Sequence, residues 1–296
     1  MTVHANEDRL ASLLDVRVRQ PHRIAEMAAA RRHPDNLIGQ TGRLLLVAAD
    51  HPARGALGAG DRRFAMADRL SLLDRLATAL SRPGVDGVLG TADILEDLLL
   101  LGALEDKVVI ASMNRGGLAG TVFEMDDRFT GYTAAGAARM GWQGGKMLLR
   151  IDVDDPASVR TLEACAHAVD ALAEQSLMAM VEPFLSERVD GRFRNDLSTE
   201  AVVRTSAVAA GLGTTSAHTW LKLPVVEDMD QVLAATTLPV VLLGGEVSSD
   251  QGAQFASWRK ALAYPSARGM VVGRSLLYPP NDDVAAAVDA TVELMT

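Results

Sequence analysis

Short apolar runs alternate with amphipathic stretches along most of the chain. Nearly continuous apolar runs of this length are typical of strands buried on both faces, whereas apolar residues three and four apart indicate helices. The pattern predicts strands at 43–50, 86–90, 107–112, 146–152, 177–183, 219–224, 238–243 and 269–273. It predicts helices at 65–80, 92–104, 134–140, 156–174, 199–210, 227–235, 251–263 and 282–294, preceded by a helical segment at 8–33.

Eight alternations of buried strand and amphipathic helix favour a parallel sheet with helical crossovers. In a chain of 296 residues they predict an α/β fold of the (β/α)8 barrel type. We expect one domain over residues 1–296, with an N-terminal helical extension at 1–40. The alternative is an open, doubly wound sheet, which usually has a glycine-rich fingerprint after its first strand. The segment Asp50-His51-Pro52-Ala53-Arg54-Gly55 does not match that fingerprint.

Composition narrows the class of protein. The net charge of −9 argues against a nucleic-acid partner, which needs a basic surface. The single cysteine, Cys165, excludes an intrachain disulfide, fits a reducing compartment and lies in a helical pattern that indicates buried packing. The N-terminus has no signal-peptide pattern, and no stretch approaches the ~18 apolar residues of a membrane span. We therefore expect a cytoplasmic protein with no membrane or nucleic-acid partner.

One lysine interrupts the sixth predicted strand. Lys222 lies within Thr219-Trp220-Leu221-Lys222-Leu223-Pro224, and a strand buried on both faces should exclude a charge that has no function. Burial lowers the pKa of an amine, and a neutral amine is what Schiff-base chemistry requires. The alternative is a lysine at a strand end whose ammonium group reaches solvent.

Polar residues also mark the ends of other strands, where barrel enzymes place their chemistry. Lys146 in the fourth strand would share an inward-facing layer with Lys222, and two such ammonium groups would repel each other. Glu182 in the fifth strand would pair with one lysine and transfer protons. Two alternatives stay open: Lys146 as a residue at the bottom of the barrel, and Glu182 as an ordinary strand-end carboxylate.

Asp50 and His51 end the first strand. Asp50 is a candidate acid or base, and His51 is a candidate substrate-binding residue, a base or an ordinary loop residue. Although Asp50, His51 and Glu182 offer metal-binding atoms, no His-x-His or His-Glu-x-x-His spacing indicates a metal site. We expect no metal and no cofactor.

Glycines follow the last two predicted strands. Gly244 and Gly245 follow the seventh, and Gly273 and Arg274 follow the eighth. Barrels often bind phosphate with these two loops, because glycine lets backbone N–H groups approach an anion and arginine adds charge. The alternative is that the glycines only turn the chain and Arg274 is exposed. Because both loops show the pattern, we favour a phosphate site, with His51 as a further substrate-binding residue.

From residue 129 to 278 the chain resembles the class I aldolases of the tagatose-1,6-bisphosphate, sulfofructose-phosphate and deoxyribose-phosphate group. The matching motifs are Phe129-Thr130-Gly131-Tyr132 with 145–152, Val181-Glu182, Leu221-Lys222-Leu223 and 269–274. Asp50-His51 is similar to the strand-one pair of archaeal-type fructose-bisphosphate aldolases. The order and spacing of these motifs are more specific for fold and class than for substrate. Two departures are Glu246, an acid beside the predicted phosphate site, and Pro224, where several relatives carry an acid.

The resemblance implies a lyase that cleaves a phosphorylated keto sugar or keto sugar acid through a Schiff base on Lys222, assisted by Glu182, Lys146 and Asp50. One implied substrate is 2-deoxy-5-keto-gluconate 6-phosphate of inositol catabolism, cleaved to dihydroxyacetone phosphate and malonate semialdehyde. We expect a phosphorylated sugar as the partner, no cofactor, and a homo-oligomer. Two alternatives remain: a non-catalytic barrel that binds sugar phosphates, and a barrel isomerase that forms no Schiff base.

Overall fold

Eight parallel strands close into a barrel in the computed structural model, which describes residues 3–39, 41–245, 247 and 250–295. The barrel strands are β1 (Leu44–Ala48), β2 (Gly87–Gly90), β3 (Val108–Ser112), β4 (Gly144–Ile151), β5 (Met178–Val189), β7 (Thr219–Leu223), β8 (Val240–Leu243) and β9 (Ala267–Val272). A further strand, β6 (Arg192–Asp196), lies outside the barrel. Neighbouring strands pair in chain order and β4 pairs with β5, which closes the sheet. The predicted (β/α)8 barrel is confirmed.

Helices flank the barrel. They are α1 (Val3–Arg19), α2 (His22–Ala30), α3 (Arg69–Ser81), α4 (Ala92–Leu100), α5 (Ala134–Arg139), α6 (Ala157–Glu174), α7 (Thr199–Ala210), α8 (Met229–Ala234), α9 (Gln251–Leu262), α10 (Arg274–Leu277) and α11 (Val284–Glu293). The segment predicted as one helix at 8–33 forms two, because Pro21 has no N–H to continue the first. Ser198 begins α7 at the predicted residue, since its side chain accepts a hydrogen bond from the Ala201 N–H. No helix among the described residues is long and apolar enough to cross a membrane.

Two apolar layers stabilise the barrel. Successive side chains of a strand point to opposite faces. Leu44, Leu46 and Ala48 of β1 therefore meet residues of β2, β3, β5, β8 and β9 in a small inner cluster. Leu45 and Val47 join the larger cluster between the strands and the helices. The inner cluster fills the middle of the barrel, and the same alternation decides which residues point inward at the carboxyl ends of the strands.

The fifth strand continues beyond the barrel, which the hydrophobic pattern did not predict. The predicted strand ends at Pro183, whereas β5 runs to Val189 and turns back into the antiparallel β6. Asp190 and Gly191 between them have positive φ angles of 50° and 75°. A two-residue hairpin turn favours such angles, and an Asp-Gly pair is its usual sequence signal. The signal was therefore present in the sequence.

Candidate active site

Five polar side chains come together inside the barrel at the carboxyl ends of its strands: Asp50, Ser112, Lys146, Glu182 and Lys222. Except for Lys146, each lies two positions beyond a residue that packs in the inner cluster, so the alternation along the strand points it inward as well. All five residues are at least nine-tenths buried. Because unpaired buried charges are costly, the contacts among these groups decide what the site can do.

Glu182 joins two lysine amines. Its Oε1 lies 2.8 Å from Lys222 Nζ, and its Oε2 contacts Lys146 Nζ. Burial by itself would raise the pKa of Glu182, but attraction to Lys146 and Lys222 outweighs burial and lowers that pKa to about 2. Glu182 is therefore ionised at neutral pH and holds both amines at one point. The structure brings the three residues together as the sequence analysis expected, while their chemical roles stay predictions.

Lys146 lies between two carboxylates. The strand β4 begins two residues earlier than predicted, and Lys146 pairs in register with Ser112, the last residue of β3. Its Nζ contacts Glu182 and lies 3.4 Å from Asp50 Oδ2. Burial has the largest influence and lowers the pKa of Lys146 to about 8, despite attraction to both carboxylates. The amine thus lies within the site rather than at the bottom of the barrel, and it releases its proton more easily than an exposed lysine does.

Asp50 is the second carboxylate beside Lys146. Its Oδ2 accepts a hydrogen bond from Ser112 Oγ at 3.0 Å and lies 3.1 Å from Arg115 Nη1. Burial would raise the pKa of Asp50, but attraction to Arg115 and then to Lys146 outweighs it and holds that pKa well below its usual value. Within the described part of the chain, no hydrogen bond reaches Oδ1, and the Nδ1 atom of the His51 ring lies 3.8 Å from it. Oδ1 therefore has an acceptor position that no described residue uses.

His51 lines the same cavity in its neutral form. Burial lowers its pKa to about 3, although Asp50 attracts the protonated ring. Its Nδ1 is buried and finds no hydrogen-bond partner among the described residues. This placement suits the predicted substrate-binding role, which stays a prediction. Among the described residues, no three His, Cys, Asp or Glu side chains are grouped so that they could hold a metal ion.

The glycines predicted to bind phosphate lie at the rim of the cavity with Arg274. Gly244 and Gly273 are also required by packing. A Cβ on Gly273 would come within 2.8 Å of the Ala48 carbonyl oxygen, and one on Gly244 within 2.3 Å of Val272 Cγ1. Gly245 has a φ of 69°, which favours glycine. The predicted effect of Glu246 on phosphate binding concerns a residue outside the described part of the chain.

A cavity of about 510 Å³ lies against these groups. The hairpin of β5 and β6 contributes Phe184, Phe193 and Asn195 to its wall. Cations outnumber carboxylates among the charged, described residues of this wall. They are Arg54, Arg115, Lys146, Arg150, Lys222 and Arg274 against Glu124 and Glu182. A wall with this excess of positive charge favours an anionic ligand.

A second set of ions, buried except for the partly exposed Glu124, borders the cavity, and the sequence analysis did not identify it as part of the site. We call Arg54, Glu124, Asp127 and Arg150 the arginine cluster. Glu124 Oε1 lies 2.7 Å from Arg150 Nη1 and 3.5 Å from Arg54 Nη2. Asp127 Oδ2 lies 3.4 Å from Arg54 Nη1. Glu124 and Asp127 belong to the long loop after β3. The length of that loop was the available signal, because long loops in compact domains are often functional.

Comparison with known proteins places the chain in a family. A family model described as Cgl0159-like matches residues 42–292. The crystal structure of Cgl0159 from Corynebacterium glutamicum (Brevibacterium flavum) is similar, with a TM-score of 0.94 and 53% sequence identity over 97% of each chain. A search of curated proteins finds no match. The family match spans every strand of the barrel.

More distant solved structures share the barrel. An archaeal fructose 1,6-bisphosphate aldolase has a TM-score of 0.65 at 17% identity, over 92% of this chain and 98% of its own. A Schiff-base-forming fructose-1,6-bisphosphate aldolase has a TM-score of 0.65 at 18% identity, over 92% of this chain and 100% of its own. At such identities the likeness shows a common aldolase-like barrel fold. The narrower tagatose, sulfofructose-phosphate and deoxyribose-phosphate group stays a prediction.

Proposed function

The chain belongs to the Cgl0159-like family, and from this premise we propose that it is a class I aldolase acting on a phosphorylated keto sugar or keto sugar acid. One observation carries the proposal: two buried lysine amines share the Glu182 carboxylate at the wall of a cavity rich in cations. Burying a lysine costs stability even when the lysine is paired, so two such lysines beside one cavity favour a chemical role. An amine beside a proton-transferring carboxylate is what iminium formation needs.

Lys222 is the proposed nucleophile. Lys222 gives a proton through Glu182 to Lys146, and its amine then adds to the substrate ketone to give a carbinolamine. The carbinolamine takes that proton back and loses water to form an iminium ion. Glu182, in contact with both amines, passes these protons between Lys222 and Lys146, and Lys146, with a pKa of about 8, holds and returns them. The iminium nitrogen then accepts the electron pair of the breaking carbon–carbon bond, which leaves an enamine and a free aldehyde. Protonation and hydrolysis of the enamine release the second product and the amine.

The hydroxyl next to the breaking bond must lose its proton as the aldehyde forms. We propose that Asp50, which the sequence analysis named as a candidate acid or base, accepts the hydrogen bond of that hydroxyl through Oδ1. Because the pKa of Asp50 is depressed, it is a poor final holder of the proton. Lys146, with a pKa of about 8 and 3.4 Å from Asp50, is better suited to take it.

The phosphate end of the substrate is proposed to lie at the rim formed by Gly244, Gly245, Gly273 and Arg274, where backbone N–H groups and a guanidinium group meet the cavity. The substrate suggested by resemblance is 2-deoxy-5-keto-gluconate 6-phosphate. Its ketone lies between the phosphate, which would bind at this rim, and the carbon that becomes the aldehyde of the second product. Its cleavage products are dihydroxyacetone phosphate and malonate semialdehyde.

Borohydride reduction tests the covalent step. The full-length protein is mixed with dihydroxyacetone phosphate, reduced, digested and examined by peptide mass analysis. We expect an adduct on Lys222 that is absent from the Lys222→Met variant and present in Lys260→Met, a variant of an exposed lysine. An adduct on Lys146 would keep the class of reaction and reassign the nucleophile. No adduct with any of a panel of ketones would contradict the proposal and favour an isomerase or a non-catalytic sugar-phosphate binder.

A further inference from the structure

Two arginines of the cavity, Arg115 and Arg150, belong to strands that lie opposite the glycine rim. Around the barrel the strands follow the order β1, β2, β3, β4, β5, β7, β8 and β9. In a ring of eight, β3 faces β8 and β4 faces β9. Arg115 follows β3 and Arg150 lies on β4, whereas Gly244 and Gly273 follow β8 and β9. The cavity therefore has positive charge on the side away from the proposed phosphate rim, with the lysines and Glu182 between them.

Two of these arginines have buried N–H groups without a partner. Arg115 Nη2 and Arg150 Nε are buried and form no hydrogen bond within the described part of the chain. Both side chains are at least nine-tenths buried, and both residues line the cavity. Leaving a buried charged donor unpaired costs free energy, so such groups usually have a ligand or water partner. The unpaired donors mark this side of the cavity as a binding surface.

The surrounding charges do not fully compensate the arginines. The carboxylates of Glu124 and Asp127 contact Arg54 and Arg150, and Asp50 contacts Arg115. Even so, burial first and then the positive charge of Arg150 lower the pKa of Arg54 to about 10. The repulsion between these two guanidinium groups has a larger effect on Arg54 than its attraction to either carboxylate. An added anion would relieve that repulsion.

We infer that Arg54, Arg115 and Arg150 form a second anion subsite, which binds a carboxylate or phosphate on the aldehyde fragment of the substrate. This deepens the proposed function and rests on it only in naming the bound group as part of an aldol substrate. Guanidinium groups bind either anion through paired N–H donors. The substrate class is then a keto compound that is anionic at both ends, and an aldehyde product without an anionic group is a poor partner.

Calorimetric titration with small anions tests the subsite without any catalysis. Malonate and inorganic phosphate are titrated separately into the full-length protein, into Arg150→Gln and into Arg128→Gln. Arg128 is a matched control because its exposed side chain pairs with Asp126 and does not line this cavity. We expect Arg150→Gln to weaken binding of at least one anion by about tenfold or more, the loss of one charged hydrogen bond. Arg128→Gln should leave both affinities within about twofold.

A second variant distinguishes loss of the subsite from misfolding of the protein. Glu124 competes with a ligand for Arg54 and Arg150, so Glu124→Gln removes a competing charge at nearly constant shape. We expect it to tighten anion binding by about threefold or more, which structural damage would not do. A larger effect of Arg150→Gln on malonate identifies a carboxylate subsite, and a larger effect on phosphate identifies a phosphate subsite. Unchanged affinities in both cavity variants would overturn the inference.

The preference of the enzyme for one aldehyde substrate over another tests the second anion subsite separately from the proposed function. Dihydroxyacetone phosphate is condensed with succinic semialdehyde or with butanal, which have the same carbon count and differ in charge. We expect the charged aldehyde to react with a kcat/KM at least about tenfold higher, and Arg150→Gln to shrink that ratio. If malonate binding depends on Arg150 but no lysine is trapped, the subsite stands and the aldolase proposal fails. If borohydride yields an adduct on Lys222 but the two aldehydes react equally well, the second anion subsite is contradicted and the aldolase proposal stands.

Discussion

Two groups of largely buried ions border one cavity, and they differ in the cation that each uses. The lysine cluster consists of Asp50, Lys146, Glu182 and Lys222, and the arginine cluster consists of Arg54, Glu124, Asp127 and Arg150. Both pair cations with carboxylates at short distances. A lysine can lose its proton and become a nucleophile, whereas an arginine stays charged and binds. The difference suggests that one group performs chemistry and the other holds the substrate.

The two groups also differ in how the chain builds them. Lys146, Glu182 and Lys222 lie on barrel strands, whose register fixes their positions. The arginine cluster depends on loops after β1 and β3 that meet Arg150 of β4. That meeting requires Gly117, because a Cβ there would come within 2.1 Å of the Glu124 backbone carbonyl oxygen. Strands therefore hold the proposed reacting groups, and a loop shapes the proposed binding side.

Exchanging the cation in the lysine cluster is the strongest test of this division. Lys222→Arg keeps a positive charge opposite Glu182 but removes the amine that forms an iminium. We expect the rate of cleavage to fall at least about 10⁴-fold, measured with 2-deoxy-5-keto-gluconate 6-phosphate or fructose 1,6-bisphosphate, whichever the wild type cleaves faster. Lys260→Arg on the exposed face of α9 is the control. Turnover within tenfold of the wild type would show that Lys222 is not the nucleophile.

Removing the shared carboxylate should have the next largest effect. Glu182→Gln leaves two buried ammonium groups without their common partner and removes the proposed acid and base. We expect kcat to fall by about 10²–10³-fold and the free energy of unfolding at pH 7 to fall by about 3–5 kcal/mol. Urea unfolding and steady-state kinetics measure the two effects, with the exposed Glu163→Gln as control. A stable variant with unchanged kcat would assign Glu182 to neither role.

The lowered pKa of Glu182 predicts that the stability of the folded protein depends on pH. The pKa of Glu182 is about 2 in the folded protein, against an ordinary value of 4.5, so the unfolded chain binds the proton first as pH falls. The stability from ionised Glu182 is present above about pH 4.5 and is lost as pH falls toward 2. We expect the gap in unfolding free energy between wild type and Glu182→Gln to narrow between pH 5 and pH 3. A constant or widening gap would contradict the assigned pKa direction.

The reciprocal exchange in the arginine cluster should have the smallest effect. Arg150→Lys keeps the charge but loses the Nε–H donor and the planar fork that binds an anion through two bonds. We expect KM for a doubly anionic substrate to rise roughly three- to tenfold, a larger change than that in kcat. Steady-state kinetics of Arg150→Lys and Arg128→Lys measure this. A fall in kcat with unchanged KM would place Arg150 in the chemistry rather than in binding.

Much of the fold and part of the site could be predicted from the sequence. The apolar runs and helical spacing predicted the barrel, because strands buried on both faces and amphipathic helices leave distinct periodicities. Lys222 and Glu182 were identified because a charge inside an apolar run is conspicuous. The hairpin of β5 and β6 was missed although Asp190-Gly191 signalled it.

Only the tertiary structure decided which polar residues meet. A position for Lys146 at the bottom of the barrel stayed open until the register of β4 with β3 and β5 placed its amine at Glu182 and Asp50. Arg115 and the arginine cluster come from segments far apart in the chain, and neither periodicity nor local spacing records such contacts. The sequence determined the strands, their order and the inward-facing positions, because these follow from local patterns. Closure of the sheet determined the pairing of charges, because it depends on register and loop paths between distant residues.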